Sequence, residues 1–153
     1  VYCKDADRTG TYKNIQFDFL GYTFRPRTSK NRFGKYFINF TPAISNKAMK
    51  RITLVMRGWK LQNRSDKSLE DLAYMFHKQI QGWINYYSHF YKSALNPLFQ
   101  HFDERLSWWA TRKFKKLRGH KARAREWLRE IAQREPNLFP HWKLLYASYI
   151  VKQ

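Results

Sequence analysis

Between Ser68 and Lys92 two regular stripes run along the same residues. Leu69, Leu72, Phe76, Ile80, Trp83, Tyr87 and Phe90 step by three or four, and so do Tyr74, Lys78, Gln81, Asn85, His89 and Lys92. Only an α-helix puts both sets on opposite faces over six turns. Ser68, with Asp71 three residues on, supplies a capping box to start it. The stretch "GWINYY", Gly82 to Tyr87, sits inside this helix and sets a weak helix former among the bulkiest side chains. The expectation is that Trp83 and Tyr87 lock a core, while Gly82 and Asn85 leave a narrow polar channel for close approach.

The flanking segments read around that helix. Ile15, Phe17 and Phe19 alternate with Gln16 and Asp18, so residues 14–25 read as a strand ended by Pro26. Thr28–Gly34 reads as a turn and Lys35–Phe40 as a second strand, giving a hairpin at 15–40. From Thr41 the period becomes helical. Ser45 is the N-cap, Ala48, Ile52, Val55, Met56 and Trp59 are the apolar face, and Lys47, Lys50 and Arg57 lie opposite. Pro97 starts a third helix carrying Leu98, Phe102, Leu106 and Trp109, with Gly119 as its stop. A fourth helix covers 121–134 and is closed by Pro136. The aromatic tail "LFPHWKLLYASYIV" is expected to pack back as turns or a short strand. The fold class is therefore mainly α with a small β-hairpin (α+β). Three long helices at 45–59, 68–92 and 97–118 form a bundle, with Trp59, Phe76, Trp83, Tyr87, Phe102 and Trp109 largely buried.

Charge narrows the function. Thirty Lys and Arg stand against eleven Asp and Glu, a net +19, and every quarter of the chain is basic. Such a chain repels itself unless a polyanion compensates, and nucleic acid is the default partner. The densest run has nine basic residues between Arg112 and Arg129, with Glu126 the only acid. It is either a solvated helical face or an anion-binding one. Trp108 and Phe114 nearby either stack on bases or pack into the core.

Catalytic signatures are missing from the pattern. His77, His89, His101, His120 and His141 include no pair at helical metal-site spacing, and Cys3 stands alone, which leaves no zinc site and no internal disulfide. Asp5 and Asp7 read as a solvated turn rather than a metal pair. There is no phosphate-binding glycine loop, no nucleophile elbow, and no run of about 18 apolar residues to span a membrane.

Two motifs about 60 residues apart carry a family resemblance: "FDFLGYTFRPR", and "GWINYY" within "SLEDLAYMFHKQIQGWINYY". Together with "HWK" at His141–Lys143 they resemble the group II intron reverse transcriptase/maturase. The resemblance implies the end of a polymerase palm at 1–41, a maturase-specific or thumb helical bundle at 42–118, and a basic helix with an aromatic tail at 119–153. It also implies a piece of a longer protein, in keeping with the start at Val1-Tyr2-Cys3. The Tyr-Ala-Asp-Asp string of the family's palm does not occur here. No catalytic residue, metal site or cofactor is then expected in this segment, and the Mg2+ of the parent polymerase would be held elsewhere. The implied partners are intron RNA and an RNA template–DNA primer duplex, with no membrane, in a bacterial cytoplasm or an organelle. The expected RNA contacts are Arg25, Arg27, Lys47, Lys50, Arg57, Lys78, Asn85, His89, Lys92, Arg112, Lys113, Lys115, Lys116, Arg118, Lys121, Arg123 and Arg125. A DNA-binding module of a recombinase or regulator, or a ribonucleoprotein-assembly module without a polymerase parent, are the alternatives.

Overall fold

The computed structural model describes residues 1–8 and 10–150, with side chains up to residue 146. Its β part is a three-stranded antiparallel sheet in the order β1 (Phe17–Phe19), β2 (Tyr22–Lys30), β3 (Tyr36–Ile44). The expected hairpin is thus one strand short. "FDFLGYTF" does not run straight: Leu20 and Gly21 have φ of 50° and 85° and fold it back, pairing Phe19 with Tyr22. Two positive φ values in a two-residue loop are what a tight hairpin requires. Leucine is an uncommon choice there, so the pattern read as continuous strand.

Pro26 does not end the strand, and β3 runs on past Thr41 to Ile44. β1 pairs with β2 only from Tyr22 to Phe24. Beyond Phe24, β2 is an edge strand with β3 as its one neighbour, and an edge tolerates a residue without an N–H. Pro42 sits in β3, which has no strand on its outer side.

Ser45 joins the sheet to the helices. Its hydroxyl accepts from Ala48 N at 3.1 Å to cap α1 (Asn46–Gly58), while its own N–H donates to the Gly21 carbonyl at 2.8 Å. Then come α2 (Leu69–Tyr87), α3 (Asn96–Lys113), α4 (Lys121–Arg134) and α5 (Pro140–Ile150). The capping box at Ser68 and Asp71 is complete, with bonds of 3.0 and 3.1 Å. The α+β class holds, and a fifth helix joins the three long ones and the shorter fourth that were expected. α3 is its axis, packed against α1, α4 and α5. The tail is a helix because Pro140 takes the first helical position, where no N–H is needed. Residues 151–153 of that expected tail lie outside the described residues.

The core runs through all of these helices. Ile52, Met56, Leu72, Ile80, Phe99, Phe102, Leu106, Trp109, Phe139 and Trp142 are buried. Trp59 stacks on Phe76 at 4.1 Å and on Trp83 at 5.6 Å, joining α1 to α2. Trp59 and Trp83 are only half-buried, however, so they seal the core edge rather than fill its centre. α2 stops at Tyr87, five residues before the expected end, and Phe90 is 65 % exposed. α3 likewise stops at Lys113, before a short 3-10 turn at Lys115–Leu117.

The end of "GWINYY" has a task that spacing did not reveal. Tyr86 Oη donates to the Leu20 carbonyl at 2.6 Å, and Tyr22 Oη donates to the Tyr86 carbonyl. A Cβ on Gly21 would lie 2.9 Å from Tyr87 Oη. The β1–β2 turn is therefore clamped to the C-terminal end of α2. Gly82 is another matter, because a Cβ built there meets nothing within 4 Å. Among the described residues no backbone approaches it, and the expected close-approach role is not filled by them. Gly82→Ala should raise stability by about 1 kcal/mol through helix propensity alone, measured as a higher midpoint in thermal unfolding. A lower midpoint would reveal a neighbour that the structure does not have.

Candidate nucleic-acid interface

The basic side chains are mostly left without acids. Among the described residues, only Arg8, Lys67, Arg125 and Arg129 form Lys or Arg ion pairs with carboxylates. Where the others gather depends on α1 and α3. Lys47, Lys50, Leu54 and Arg57 follow helical spacing along the exposed side of α1. His101, Arg105, Trp108 and Arg112 do the same on α3, opposite the buried stripe of Leu98, Phe102, Leu106 and Trp109.

The two stripes meet in one groove. Met49, Leu54, Pro97 and Leu98 give it apolar walls, and Lys50, Arg57 and His101 line it with basic groups; its volume is about 600 Å3. A smaller notch is lined by Leu61, Gln62, Arg105, Trp108, Trp109 and Arg112. Arg105 links the two, donating from Nε to His101 Nε2 at 3.2 Å. Burial, and then the nearby Arg57 charge, pushes the Arg105 guanidinium below its usual range. Two guanidiniums held near each other with no carboxylate between them disfavour their own charge, and an anion placed there relieves this. Lys121, at the start of α4, reaches over the Trp108 ring, with Nζ 5.8 Å from the centroid.

The expected contacts divide accordingly. Lys50, Arg57, Arg112 and Lys121 are brought to this α1/α3 surface. Lys47 is exposed on the same helix, and Lys115, Lys116, Arg118 and Arg123 are exposed along the connection to α4 and its first turn. Arg25 is exposed in β2.

Others have partners within the fold or lie on other faces. Arg27 is buried, and its Nη1 donates to the Thr41 carbonyl across the β2–β3 ladder. Its guanidinium lies over the Tyr91 ring at 5.7 Å. Burial, with the Arg25 charge next, pushes it below its usual range, and Tyr91 opposes this. Lys113 Nζ donates to the Ser65 carbonyl at 2.8 Å, which pins the loop before α2. Arg125 is spent on Glu104. His89 and Lys92 lie beyond the end of α2, so they do not continue the stripe of Lys78 and Asn85. Lys78 lines a different groove, with Glu70, Tyr74, His77 and Leu138. Asn85 Oδ1 accepts from Gln81 on its own helix at 2.8 Å.

Sequence reading missed His101 and Arg105. The signal was present in the spacing His101, Arg105, Trp108, Arg112, but the decay of the apolar stripe after Trp109 drew attention to the charges downstream. Of the two aromatics left open, Phe114 packs against Trp109 and Trp127, while Trp108 stays 41 % exposed. Asp5 is the cap of a turn, its Oδ1 accepting from Asp7 N and Arg8 N, each at 3.1 Å. No described helix is long and apolar enough to cross a membrane.

Fold and surface together define a strongly cationic helical module built on a central α3 and introduced by a small sheet. The model of the group II intron maturase-specific domain family matches residues 48–127, from the first turn of α1 into α4. The match spans more than half of the chain, and the chain belongs to that family. Its function is accordingly related to that of group II intron maturases. No curated protein and no solved structure matches the chain.

Proposed function

We propose that this chain binds intron RNA to assist its splicing and, as the thumb of a group II intron reverse transcriptase, holds the RNA template–DNA primer duplex. The observation that carries the reading is the α1/α3 surface, where Lys50, Arg57, His101, Arg105 and Arg112 line adjoining grooves without a carboxylate among the lining residues. Rigid helices holding fixed cations suit phosphate contact, which positions a nucleic acid without reading its sequence. Lys115, Lys116, Arg118 and Arg123, exposed on the connection to α4 and its first turn, add cations to the same reading. The sheet before α1 corresponds in this reading to the last strands of the palm. Among the described residues no three His, Cys, Asp or Glu side chains gather at one place.

The test is titration of a structured RNA at two salt concentrations. If about three phosphates are neutralised, affinity should fall roughly 20- to 40-fold between about 50 and 200 mM salt. The triple variant Arg57→Gln, Arg105→Gln, Arg112→Gln should bind more weakly with a shallower salt slope, while keeping its melting temperature. Salt-independent binding, or unchanged affinity in the triple variant, would remove this surface as the RNA site. Duplex DNA competing as well as structured RNA would favour the DNA-binding alternative.

A further inference from the structure

We infer that Trp108 is a stacking platform for one unpaired nucleobase, with Arg105 and Arg112 holding the phosphates on either side of it. The inference rests on the RNA-binding reading and adds what part of the RNA is recognised.

Adjacent tryptophans on α3 have opposite fates. Trp109 is fully buried, and its indole N–H donates to the Arg64 carbonyl at 2.8 Å. Trp108 keeps two fifths of its surface in water, on a helix face that is otherwise basic. The exposed part of the indole contributes little to the fold, and a π-face open beside cations without carboxylate partners is the arrangement that single-stranded nucleic acid requires.

The surroundings fit a base in particular. Arg105 and Arg112 sit three residues before and four after Trp108, so both are its neighbours on the helix surface. Leu61 and Gln62 wall the same notch. Gln62 carries both a donor and an acceptor, able to meet the edge of a base. Lys121 lies over the ring at 5.8 Å. An aromatic ring has two faces, and a cation over one strengthens stacking on the other. A base inside a duplex has its own faces covered by its neighbours, so only a bulged, looped or terminal base can reach Trp108.

The experiment uses two hairpin RNAs with the same stem. One has a single bulged 2-aminopurine; the other has the 2-aminopurine paired within the stem. Affinity and 2-aminopurine fluorescence are measured for the wild-type chain, Trp108→Ala and Trp108→Phe. Wild type should prefer the bulged hairpin by roughly 5- to 150-fold, the range for one stacked base, and should quench the bulged fluorophore. Trp108→Ala should lose the quenching and the preference, its affinity for the bulged hairpin falling to that for the paired one. Trp108→Phe should keep most of both. Equal wild-type affinity for the two hairpins, or a preference that survives in Trp108→Ala, overturns this inference alone. Failure to bind either hairpin overturns the RNA reading and this inference with it.

Discussion

Asp103→Ala should destabilise the protein by about 3–5 kcal/mol, the usual result of removing one partner from a buried polar pair. Asp103 lies on α3 at 7 % exposure and accepts three bonds from α5. His141 Nε2 donates to Oδ1 at 2.5 Å, Trp142 Nε1 donates to the same oxygen at 3.1 Å, and Tyr146 Oη donates to Oδ2 at 3.0 Å. Alanine leaves the buried His141 and Trp142 donors facing a void. His141 is fully buried and its Nδ1 has no hydrogen-bond partner, so it has no second bond to fall back on. Urea unfolding of Asp103→Ala and of the double variant Asp103→Leu, His141→Leu tests this. The double variant should recover part of the loss, because no buried polar group of the pair is then orphaned. A single variant as stable as wild type would mean that α5 is held by the apolar burial of Phe139 and Trp142 alone.

Trp109→Ala should cost a similar amount, about 3–5 kcal/mol for a truncated core tryptophan. The ring is buried near the C-terminal end of α3, and the indole N–H also ties down the loop before α2 through the Arg64 carbonyl. Arg64 Nε in turn donates to the Trp59 carbonyl at 2.7 Å, and Lys113 holds Ser65 beside it. One side chain thus supports both the core and the α1–α2 connection. Trp109→Phe separates the two roles. It keeps most of the apolar volume and should lose about 1–3 kcal/mol for the stranded carbonyl. Chemical denaturation gives both values, and a Phe variant equal to wild type would show that the hydrogen bond is replaced by water.

Elements whose signals are local were readable in the sequence. Ser45 and Ser68 cap their helices, Pro97 opens α3, and α4 has the expected bounds, because each depends on a few adjacent residues. Features set by distant partners were not readable. The Leu20–Gly21 turn is held by Tyr86 and Tyr87, more than sixty residues away. Arg27 looks like any exposed basic residue until the Thr41 carbonyl is set beside it. His141 reads as one more histidine in a tail, since its carboxylate partner lies 38 positions earlier. The interface was half legible for the same reason. Its α1 cations show on one helix, but the groove exists only once α3 lies against them.

The prolines of the sheet bear on how many copies can share a solution. Past Phe24, β2 and β3 form an arm with a bare edge on each side, and it displays Phe33, Tyr36, Phe37 and Ile38 to solvent. Bare edges with apolar side chains are where a second chain adds a strand and a filament begins. Pro26 has no N–H to offer an incoming ladder, Pro42 is buried at the base of the arm, and Lys30 and Lys35 flank the tip with like charge. The arm can keep its aromatic surface open without becoming a template for its own copies.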